Sequence, residues 1–318
     1  MAAISPTKTG LPGTSLPGTS LLERIGNTPL VRFERLAAHL PGITLLAKAE
    51  WTNPGGSVKD RPAAAIVLDA LAREQLCPGR RLLDATSGNT GIAYAMLGAA
   101  LAFPVTLCMP SNVSTERKRL LQAYGAEVVW TDPADSSDGA IRKARELAQD
   151  PQYFYADQYS NPNNWRAHYR GTAPEIWEQT EGRVTHFIAG MGTSGTFTGT
   201  SRRLKELNPD IECIAMQPDS PFHGLEGMKH YLTSIVPSIY DPTLASRTLE
   251  VETEAAYAMA KRLGRTEGLL VGVSAAAAVV ASLRLGEELA AQGREATIVT
   301  VLPDSADKYL SDRFWEEG

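Results

Sequence analysis

Short apolar segments alternate with longer helical patterns along most of this 318-residue chain, and this alternation constrains the fold more than any other feature. The segments are almost continuously apolar, which is typical of parallel strands that helices cover on both faces. The sequence therefore predicts an α/β fold. The predicted strands are 43–51, 81–86, 104–110, 127–131, 185–190, 212–217 and 296–303. The predicted helices are 60–75, 89–101, 115–124, 137–149, 196–207, 254–264 and 275–292.

Length and composition limit the organisation of the chain and its partners. Domains usually hold roughly 100 to 200 residues, so the length suggests two domains. The unit LPGTS occurs twice in residues 11–20, and we expect a flexible tail over residues 1–20. The formal net charge of -5 gives no electrostatic argument for binding nucleic acid or an anionic membrane.

Neither a membrane segment nor a disulfide framework is indicated. No run approaches the roughly 18 apolar residues that span a bilayer, and MAAISPTKTG lacks the core of a signal peptide. Cys77, Cys108 and Cys213 lie far apart, and we interpret them as structural thiols in a reducing compartment. We therefore expect a cytoplasmic protein.

The segment GMGTSGT, which starts at Gly190, follows a predicted strand and begins a helix. Its glycines let backbone N–H groups approach an anion, and the helix start favours negative charge, so we expect a phosphate ligand. Gly190, Gly192 and Gly195 also form the GxGxxG pattern of dinucleotide-binding proteins. However, Asp210 precedes the next strand and Gln217 ends it, so the acidic residue for a ribose is missing. A monophosphate cofactor fits better, although a turn without a ligand stays open on this motif alone.

A second loop, ATSGNTG (85–91), also follows a predicted strand and begins a helix. Thr86, Ser87, Asn89 and Thr90 supply hydroxyl and amide groups beside free helix-terminal N–H groups, which suits a carboxylate. Alone, the loop is equally well explained as a helix cap. Together, the two loops favour a ligand that carries a phosphate and a carboxylate.

The segment NPGGSVKDR (53–61) places Lys59 near a predicted helix start. Desolvation and nearby positive charge lower the pKa of a lysine, which can then form a Schiff base with an aldehyde. A lysine in such a position is usually a solvated surface charge. The two anion-binding loops favour the catalytic interpretation, because they imply a phosphate-bearing cofactor that needs an amine.

Six motifs in order resemble those of the cysteine synthase family of pyridoxal-phosphate enzymes, which includes cystathionine β-synthase. IGNTPLV near the start also matches this family, so the resemblance covers nearly all of the chain after residue 20. The six motifs are NPGGSVKDR, TSGNTG, DQYSNP, GMGTSGT, GVS and LPDSADKYLS.

The resemblance implies a role for each matching residue. Lys59 matches the Schiff-base lysine that also removes the substrate α-proton. Asn89 matches the residue that hydrogen-bonds the pyridoxal 3-hydroxyl. The residues that match the cofactor-phosphate loop are Gly192, Thr193, Ser194, Gly195 and Thr196. The residues that match the groups around the substrate carboxylate are Thr86, Ser87, Thr90 and Gln158.

Ser274 matches the hydroxyl that faces the pyridine nitrogen of the cofactor. A neutral serine there makes the ring a milder electron sink than a carboxylate does, which favours β-elimination and replacement over transamination. The same serine is also a candidate N-cap for the helix that follows. Ala275 and Ala276 depart from the family's usual Ser-Ser-Gly or Ser-Thr-Gly, which removes one hydroxyl near the ring.

The loop SPFHGLEGMKHY (220–231) is similar to that of B-type cysteine synthases, with Lys229 after Gly227. A cation at the site mouth favours an anionic donor such as O-phosphoserine or thiosulfate, whereas a solvated loop lysine is equally compatible with the sequence. His223, Glu226 and His230 match no zinc spacing, so no metal site is predicted.

The family pattern implies a fold type II enzyme of two three-layer α/β/α domains, similar to the tryptophan synthase β subunit. The smaller domain spans 49–157, and the larger combines 21–48 with 158–318, with pyridoxal 5'-phosphate in the cleft between them. The implied reaction makes L-cysteine from O-acetylserine or O-phosphoserine and sulfide or thiosulfate, in a homodimer.

Three alternatives remain at this point. Cystathionine β-synthase, from the same family, condenses serine with homocysteine. A nicotinamide-dependent dehydrogenase is a remote alternative that rests on GxGxxG. A binding module without catalysis conflicts with an intact Lys59.

Overall fold

The computed structural model describes residues 18–316, so residues 1–17 of the predicted tail lie outside it. The strands are β1 Leu30–Arg32, β2 Ile43–Ala49, β3 Arg81–Ala85, β4 Val105–Pro110, β5 Glu127–Thr131, β6 Tyr153–Tyr155, β7 His186–Gly190, β8 Glu212–Pro218, β9 Arg247–Val251 and β10 Ala296–Leu302. The α-helices are α1 Asp60–Ala72, α2 Asn89–Leu101, α3 Thr115–Ala123, α4 Ser136–Leu147, α5 Pro162–Ala167, α6 Ala173–Gln179, α7 Gly195–Leu207, α8 Thr253–Glu267 and α9 Val273–Ala291. A π-helical turn, His168–Thr172, joins α5 to α6, and the 3-10 helices are Leu22–Arg24, Glu50–Thr52, Pro133–Asp135, Pro242–Leu244, Ala306–Lys308 and Arg313–Trp315.

The larger sheet has six strands in the order β1-β2-β10-β7-β8-β9. Only the pairing of β1 with β2 is antiparallel within this sheet. Apolar residues of α8 and α9 pack on one face, as Leu263 and Val279 do, and residues of α6 and α7 such as Ile176 and Phe197 pack on the other. This sheet is thus the middle layer of an α/β/α sandwich.

The smaller sheet has four parallel strands in the order β5-β4-β3-β6. One face is buried under α1, α2 and α3, where Ile66, Leu97 and Leu121 lie in one apolar cluster. The other face is buried under α4, where Ile141 packs near Leu83. The second sandwich, together with the first, confirms the predicted fold class.

All seven predicted strands and all seven predicted helices are present, with ends that differ by a few residues. The predicted helix 60–75 ends earlier, at Ala72, and Glu74 beyond it adopts a positive φ of 55°. Three strands and two helices were not predicted: β1, β6, β9, α5 and α6. The missed strands are short or lie at sheet edges, where fewer residues are buried.

The sheets draw on separate parts of the sequence. Residues 81–155 supply the smaller sheet, whereas 30–49 and 186–302 supply the larger one. The predicted domain limits near residues 49 and 157 remain a proposal. Cys108 and Cys213 are buried in β4 and β8, and the three described cysteines are free thiols. Within 18–316, no helix has the length and apolar character to cross a bilayer.

Candidate active site

One cleft between the two sheets collects the predicted site residues. Loops that follow β3 and β7 line it from opposite sides, as expected from the rule that ligands bind beyond the carboxyl ends of parallel strands. Ser194, the N-cap of α7, and Gly195, its first residue, do not line the cleft. The predicted residues that do line it are Lys59, Thr86, Ser87, Asn89, Thr90, Gln158, Gly192, Thr193, Thr196, Gly227, Lys229 and Ser274.

Lys59 is the N-cap residue of α1 and projects into this cleft. Its loop is fixed because Val58 N donates to Pro303 O at 2.8 Å and Ser57 forms a bridge with Asp304. Burial lowers the pKa of Lys59, although the carboxylates of Asp304 and Glu50 oppose this shift. Its Nζ has no hydrogen-bond or ion-pair partner among residues 18–316. A lysine in this setting has a larger neutral fraction than one in water, as a nucleophile or base requires.

The loop between β7 and α7 has the geometry of an anion site. A Cβ at Gly192 would lie 2.3 Å from the carbonyl oxygen of Gly227, so only glycine fits there. Ser194 adopts a left-handed conformation with φ 65°, which turns the chain directly into α7. The first N–H groups of a helix have no partners within the helix, and Gly192, Thr193 and Thr196 around the start of α7 line the cleft. A phosphate is the ligand that this arrangement favours.

The loop between β3 and α2 is organised by its own threonines. The hydroxyl oxygen of Thr86 accepts hydrogen bonds from the backbone N–H groups of Gly88 at 3.0 Å and Gly91 at 3.3 Å. Thr90 Oγ1 donates to Gln158 Oε1 at 2.8 Å, and Gln158 Nε2 donates to Ala85 O at 2.6 Å. These contacts hold the predicted carboxylate-binding groups beside the start of α2.

Asn89, the first residue of α2, is linked to the far end of the chain. Its Nδ2 donates to Asp304 Oδ2 at 2.7 Å, and the Tyr309 hydroxyl donates to the same oxygen at 2.6 Å. Asn89 Oδ1 is buried without a hydrogen-bond partner among residues 18–316. Asp304 therefore orients Asn89 and leaves its amide oxygen free to accept a hydrogen bond.

Ser274 lies in the first turn of α9 and lines the cleft. The N-cap of α9 is Gly272, so the suggestion that Ser274 caps this helix is wrong. The helix starts two residues earlier than predicted because Val273 is already helical. Ser274 therefore lies at the cleft and is not the N-cap of α9.

The mouth of the cleft carries two ion pairs that join the loop 220–231 to the smaller sheet. Lys229 Nζ contacts Asp138 Oδ1 at 2.7 Å, and the lysine side chain is 5% exposed. Arg117, on α3, forms an ion pair with Glu226. The predicted role of Lys229 in donor selection stays a prediction, and the structure adds that a carboxylate already faces this cation.

Four residues of the site were not predicted from the sequence. Asn164 Nδ2 donates to Gln158 O at 2.6 Å and to Thr193 Oγ1 at 3.1 Å, which connects the two ligand loops. His168 Nε2 lies 3.3 Å from Thr196 Oγ1, and its burial, with the positive charges of Arg61 and Lys59, lowers its pKa well below the usual value. The other two are Asp304 and Arg117. The motifs DQYSNP and LPDSADKYLS carried a signal for two of them, since Asn164 lies just after the first and Asp304 lies within the second.

Comparisons with known proteins place this cleft in a family. A family model described as pyridoxal-phosphate dependent enzyme matches residues 21–304. The chain belongs to this family. Cysteine synthase of Aquifex aeolicus is 51% identical over 302 residues, covering 94% of this chain and 92% of that protein. Cysteine synthase B of Pseudomonas aeruginosa is 40% identical, covering 93% of this chain and 97% of that protein.

A solved structure agrees with this membership. The crystal structure of cysteine synthase (OASS) from Entamoeba histolytica superposes with a TM-score of 0.88 at 33% identity, covering 100% of this chain and 95% of that chain. The resemblance seen in the motifs is thereby confirmed, and the dehydrogenase alternative is set aside. Among residues 18–316, no group of three or more histidine, cysteine or acidic residues is placed to hold a metal ion.

The residues of the cleft fit pyridoxal phosphate. Lys59 offers an amine without a competing partner, and the start of α7 offers a phosphate site. The buried Asn89 Oδ1 lacks a hydrogen-bond donor, which a hydroxyl on the cofactor ring would supply. Ser274 completes the set with a neutral hydroxyl. The cleft of this pyridoxal-phosphate-dependent enzyme thus offers a candidate group for each polar part of the cofactor.

Proposed function

We propose that this chain makes L-cysteine by β-replacement, from an activated serine (O-acetylserine or O-phosphoserine) and sulfide; thiosulfate in place of sulfide would give S-sulfocysteine. The similarity to two cysteine synthases over more than nine tenths of the chain supports this activity. The single observation that carries the proposal is that one cleft holds the free Lys59 amine, the phosphate loop before α7 and the hydroxyl-rich loop before α2.

Lys59 is the proposed catalytic residue. When bound, pyridoxal phosphate supplies an aldehyde for covalent attachment and a conjugated ring that withdraws electrons from the substrate Cα. Lys59 Nζ then accepts the α-proton, because burial favours its neutral form. Proton loss at Cα allows the β-substituent to leave, and the sulfur nucleophile takes its place.

The remaining predicted residues bind and orient. The proposed phosphate site consists of Gly192, Thr193, Ser194, Gly195 and Thr196. Thr86, Ser87, Thr90 and Gln158 form the proposed carboxylate site, where Gln158 is held by Thr90 and Ala85. Asn89 and Ser274 would hold the 3-hydroxyl and the ring nitrogen of the cofactor. With a neutral serine at that position the nitrogen would have no carboxylate partner, which suits early departure of a β-substituent.

Three finer points belong to the same proposal. The enzyme acts as a homodimer in the cytoplasm, as the family resemblance suggests. Its two domains meet at the cleft, with limits near residues 49 and 157. Gly227 and Lys229, in the mouth loop, contact the incoming substrate.

The Lys59→Ala variant tests the activity. With O-acetylserine and sulfide, we expect cysteine formation to fall by about a thousandfold, since both attachment and proton transfer are lost. Lys143→Ala, a matched loss of a surface lysine that pairs with Glu146, keeps the wild-type rate. Cysteine formation that persists undiminished in Lys59→Ala would refute the proposed role of this lysine.

The choice of nucleophile separates the two activities of the family. Purified holoenzyme is supplied with O-acetylserine and either sulfide or homocysteine, and cysteine and cystathionine are quantified. We expect cysteine to form faster. Cystathionine as the main product would replace the proposal by the cystathionine β-synthase alternative.

A further inference from the structure

Arg117 is a buried cation at the edge of the active-site cleft. Its side chain is 2% exposed, and its guanidinium carbon lies 4.8 Å from the ring centroid of Tyr309. A Cβ on Gly88, in the loop that binds the substrate carboxylate, would lie 2.6 Å from Arg117 Nε. Arg117 is thus packed directly against the proposed substrate loop. Its positive charge there attracts anions that enter the cleft.

Arg117 has one paired and one unpaired buried nitrogen. Its Nη1 contacts Glu226 Oε1, whereas its buried Nε has no hydrogen-bond partner among residues 18–316. The ion pair with Glu226 neutralises the charge, but Glu226 is 33% exposed and comes from a loop of the opposite sheet. Burial raises the pKa of Asp312 and the charge of Arg117 opposes this shift, yet the two residues form no ion pair within the described chain. A guanidinium carries five donors, and the contact with Glu226 leaves the Nε donor without an acceptor.

Lys229, the other cation at the mouth, already contacts a carboxylate and an aromatic ring. Its ammonium pairs with Asp138 Oδ1 at 2.7 Å and lies 5.3 Å from the ring centroid of Tyr159. The second oxygen of Asp138 accepts the backbone N–H of Ile235 at 3.1 Å. Asp138 is therefore held by two donors, whereas Glu226 has no hydrogen bond or second ion pair among residues 18–316. Of the two acidic partners, Glu226 is the easier to displace.

Glu226 stands between two cavities. The inner one is the cleft with Lys59, and the outer one is a cavity of about 640 Å³ that opens between the mouth loop and the C-terminal segment. Both cavities share a boundary, and its residues are Ser87, Ser137, Glu226, Gly227 and Met228. Glu226 lines both cavities, whereas Arg117 lines only the inner one.

We infer that Arg117 is the receptor for the oxyanion of a charged donor, and that Glu226 occupies this receptor as an internal counterion until the donor displaces it. The inference rests on the proposed function. The shared chemistry is a tetrahedral oxyanion, which either the phosphate of O-phosphoserine or thiosulfate supplies. A guanidinium matches such oxygens with paired N–H groups, which an ammonium cannot do.

The kinetic test compares three donor pairs on the holoenzyme: O-acetylserine with sulfide, O-phosphoserine with sulfide, and O-acetylserine with thiosulfate. The readout is the kcat/KM of each pair that contains O-phosphoserine or thiosulfate, divided by the kcat/KM for O-acetylserine with sulfide. In Arg117→Gln we expect this ratio to fall by about tenfold or more, as loss of a charge-assisted hydrogen bond implies. In Glu226→Gln we expect it to rise, because the internal competitor is gone. The donor that responds identifies the source of the oxyanion.

Glu288→Gln is the matched control, since it removes a carboxylate from the surface pair with Arg247 and leaves the ratio unchanged. Lys229→Gln tests the competing cation. A ratio that follows Lys229 and not Arg117 overturns the inference and confirms the sequence prediction for Lys229. Equal losses for all donor pairs in Arg117→Gln also overturn it, because they indicate support of the loop alone.

A binding measurement separates this inference from the activity itself. Thiosulfate and inorganic phosphate are titrated into holoenzyme by calorimetry. Binding by wild type that weakens about tenfold or more in Arg117→Gln and strengthens in Glu226→Gln supports the receptor, even where no cysteine is formed. Absence of binding by wild type, or equal binding by wild type and Arg117→Gln, refutes it. Absence of cysteine formation with every donor pair refutes the proposed function instead.

Discussion

Two sets of ion pairs join the parts of this molecule, and they differ in how completely their donors and acceptors are used. The junction network consists of Lys48, Glu50, Arg61 and Glu175, and it lies where β2 meets the start of α1. The mouth pairs are Arg117–Glu226 and Lys229–Asp138. Both sets contain buried cations, yet only the network surrounds each cation with several acceptors.

Arg61 shows how complete the junction network is. Its Nε and Nη2 donate to both oxygens of Glu50 at 2.7 and 2.8 Å, and Nη1 and Nη2 donate to both oxygens of Glu175 at 2.6 and 2.7 Å. Lys48 Nζ also contacts Glu175 at 2.6 Å. A buried charge with all its hydrogen bonds satisfied is costly to disturb. This network therefore fixes α1, and with it Lys59, against the larger sheet.

The mouth pairs have the opposite character. Each joins one residue of the loop 220–231 to one helix of the smaller sheet, and each acidic partner is partly exposed, at 33% for Glu226 and 23% for Asp138. Water can replace such partners at low cost. From this comparison we expect the junction network to stay intact and the mouth pairs to break more easily.

The largest expected effect comes from breaking the junction network. Glu175→Gln removes one charge and leaves Lys48 and Arg61 incompletely paired in a buried position. We expect the free energy of unfolding to fall by about 3 to 5 kcal/mol, measured by chemical denaturation. Glu206→Gln, which removes the carboxylate of the surface pair with Arg203, costs less than about 1 kcal/mol. Equal losses in the two variants would contradict the distinction.

The pH dependence of stability gives the next effect. Burial alone would raise the pKa of Glu175, but Arg61 and Lys48 lower it to about 2, against 4.5 for the free group. The folded state therefore binds fewer protons than the unfolded state between these values, so this part of the stability is present above pH 4.5 and is lost as the pH falls towards 2.

The size of this effect is on the order of 2 to 3 kcal/mol. It appears as the difference in unfolding free energy between wild type and Glu175→Gln, measured at intervals from pH 7 to about pH 3. Taking this difference cancels the contribution of Asp60, which is present in both proteins. Burial raises the pKa of Asp60 to about 7, so its contribution to stability changes with pH in the opposite direction. A difference that stays constant on acidification would show that Glu175 does not carry this dependence.

These regions also show what the sequence could and could not predict. Strand–helix alternation predicted the strands and helices of an α/β fold, whereas the division into two domains came from the length and the family resemblance. The motifs placed Lys59 near a helix start and the two ligand loops at strand ends, because glycines and hydroxyls there follow local rules. Contacts between distant residues carry no local pattern. Asn89 with Asp304 and Arg117 with Glu226 are each more than 100 residues apart in sequence. Their pairing became visible only once the topology brought the chain ends to one cleft.

The smallest expected effect on stability comes from breaking the ion pair between Lys229 and Asp138 at the mouth of the cleft. Asp138→Asn removes the charge that faces Lys229 but keeps an oxygen for the N–H of Ile235. The long lysine side chain can turn its ammonium to water past the exposed Gly227, so we expect a loss of only about 1 kcal/mol in unfolding free energy.

The matched control is Asp135→Asn, from the surface pair with Arg142, which we expect to leave the stability within about 0.5 kcal/mol of wild type. Hydrogen exchange locates the change, because the Ile235 amide exchanges faster in Asp138→Asn when the loop detaches from α4. A loss as large as that of Glu175→Gln would mean that the mouth is as permanent as the junction. The cleft would then have to admit its substrates without releasing Lys229 from the smaller sheet.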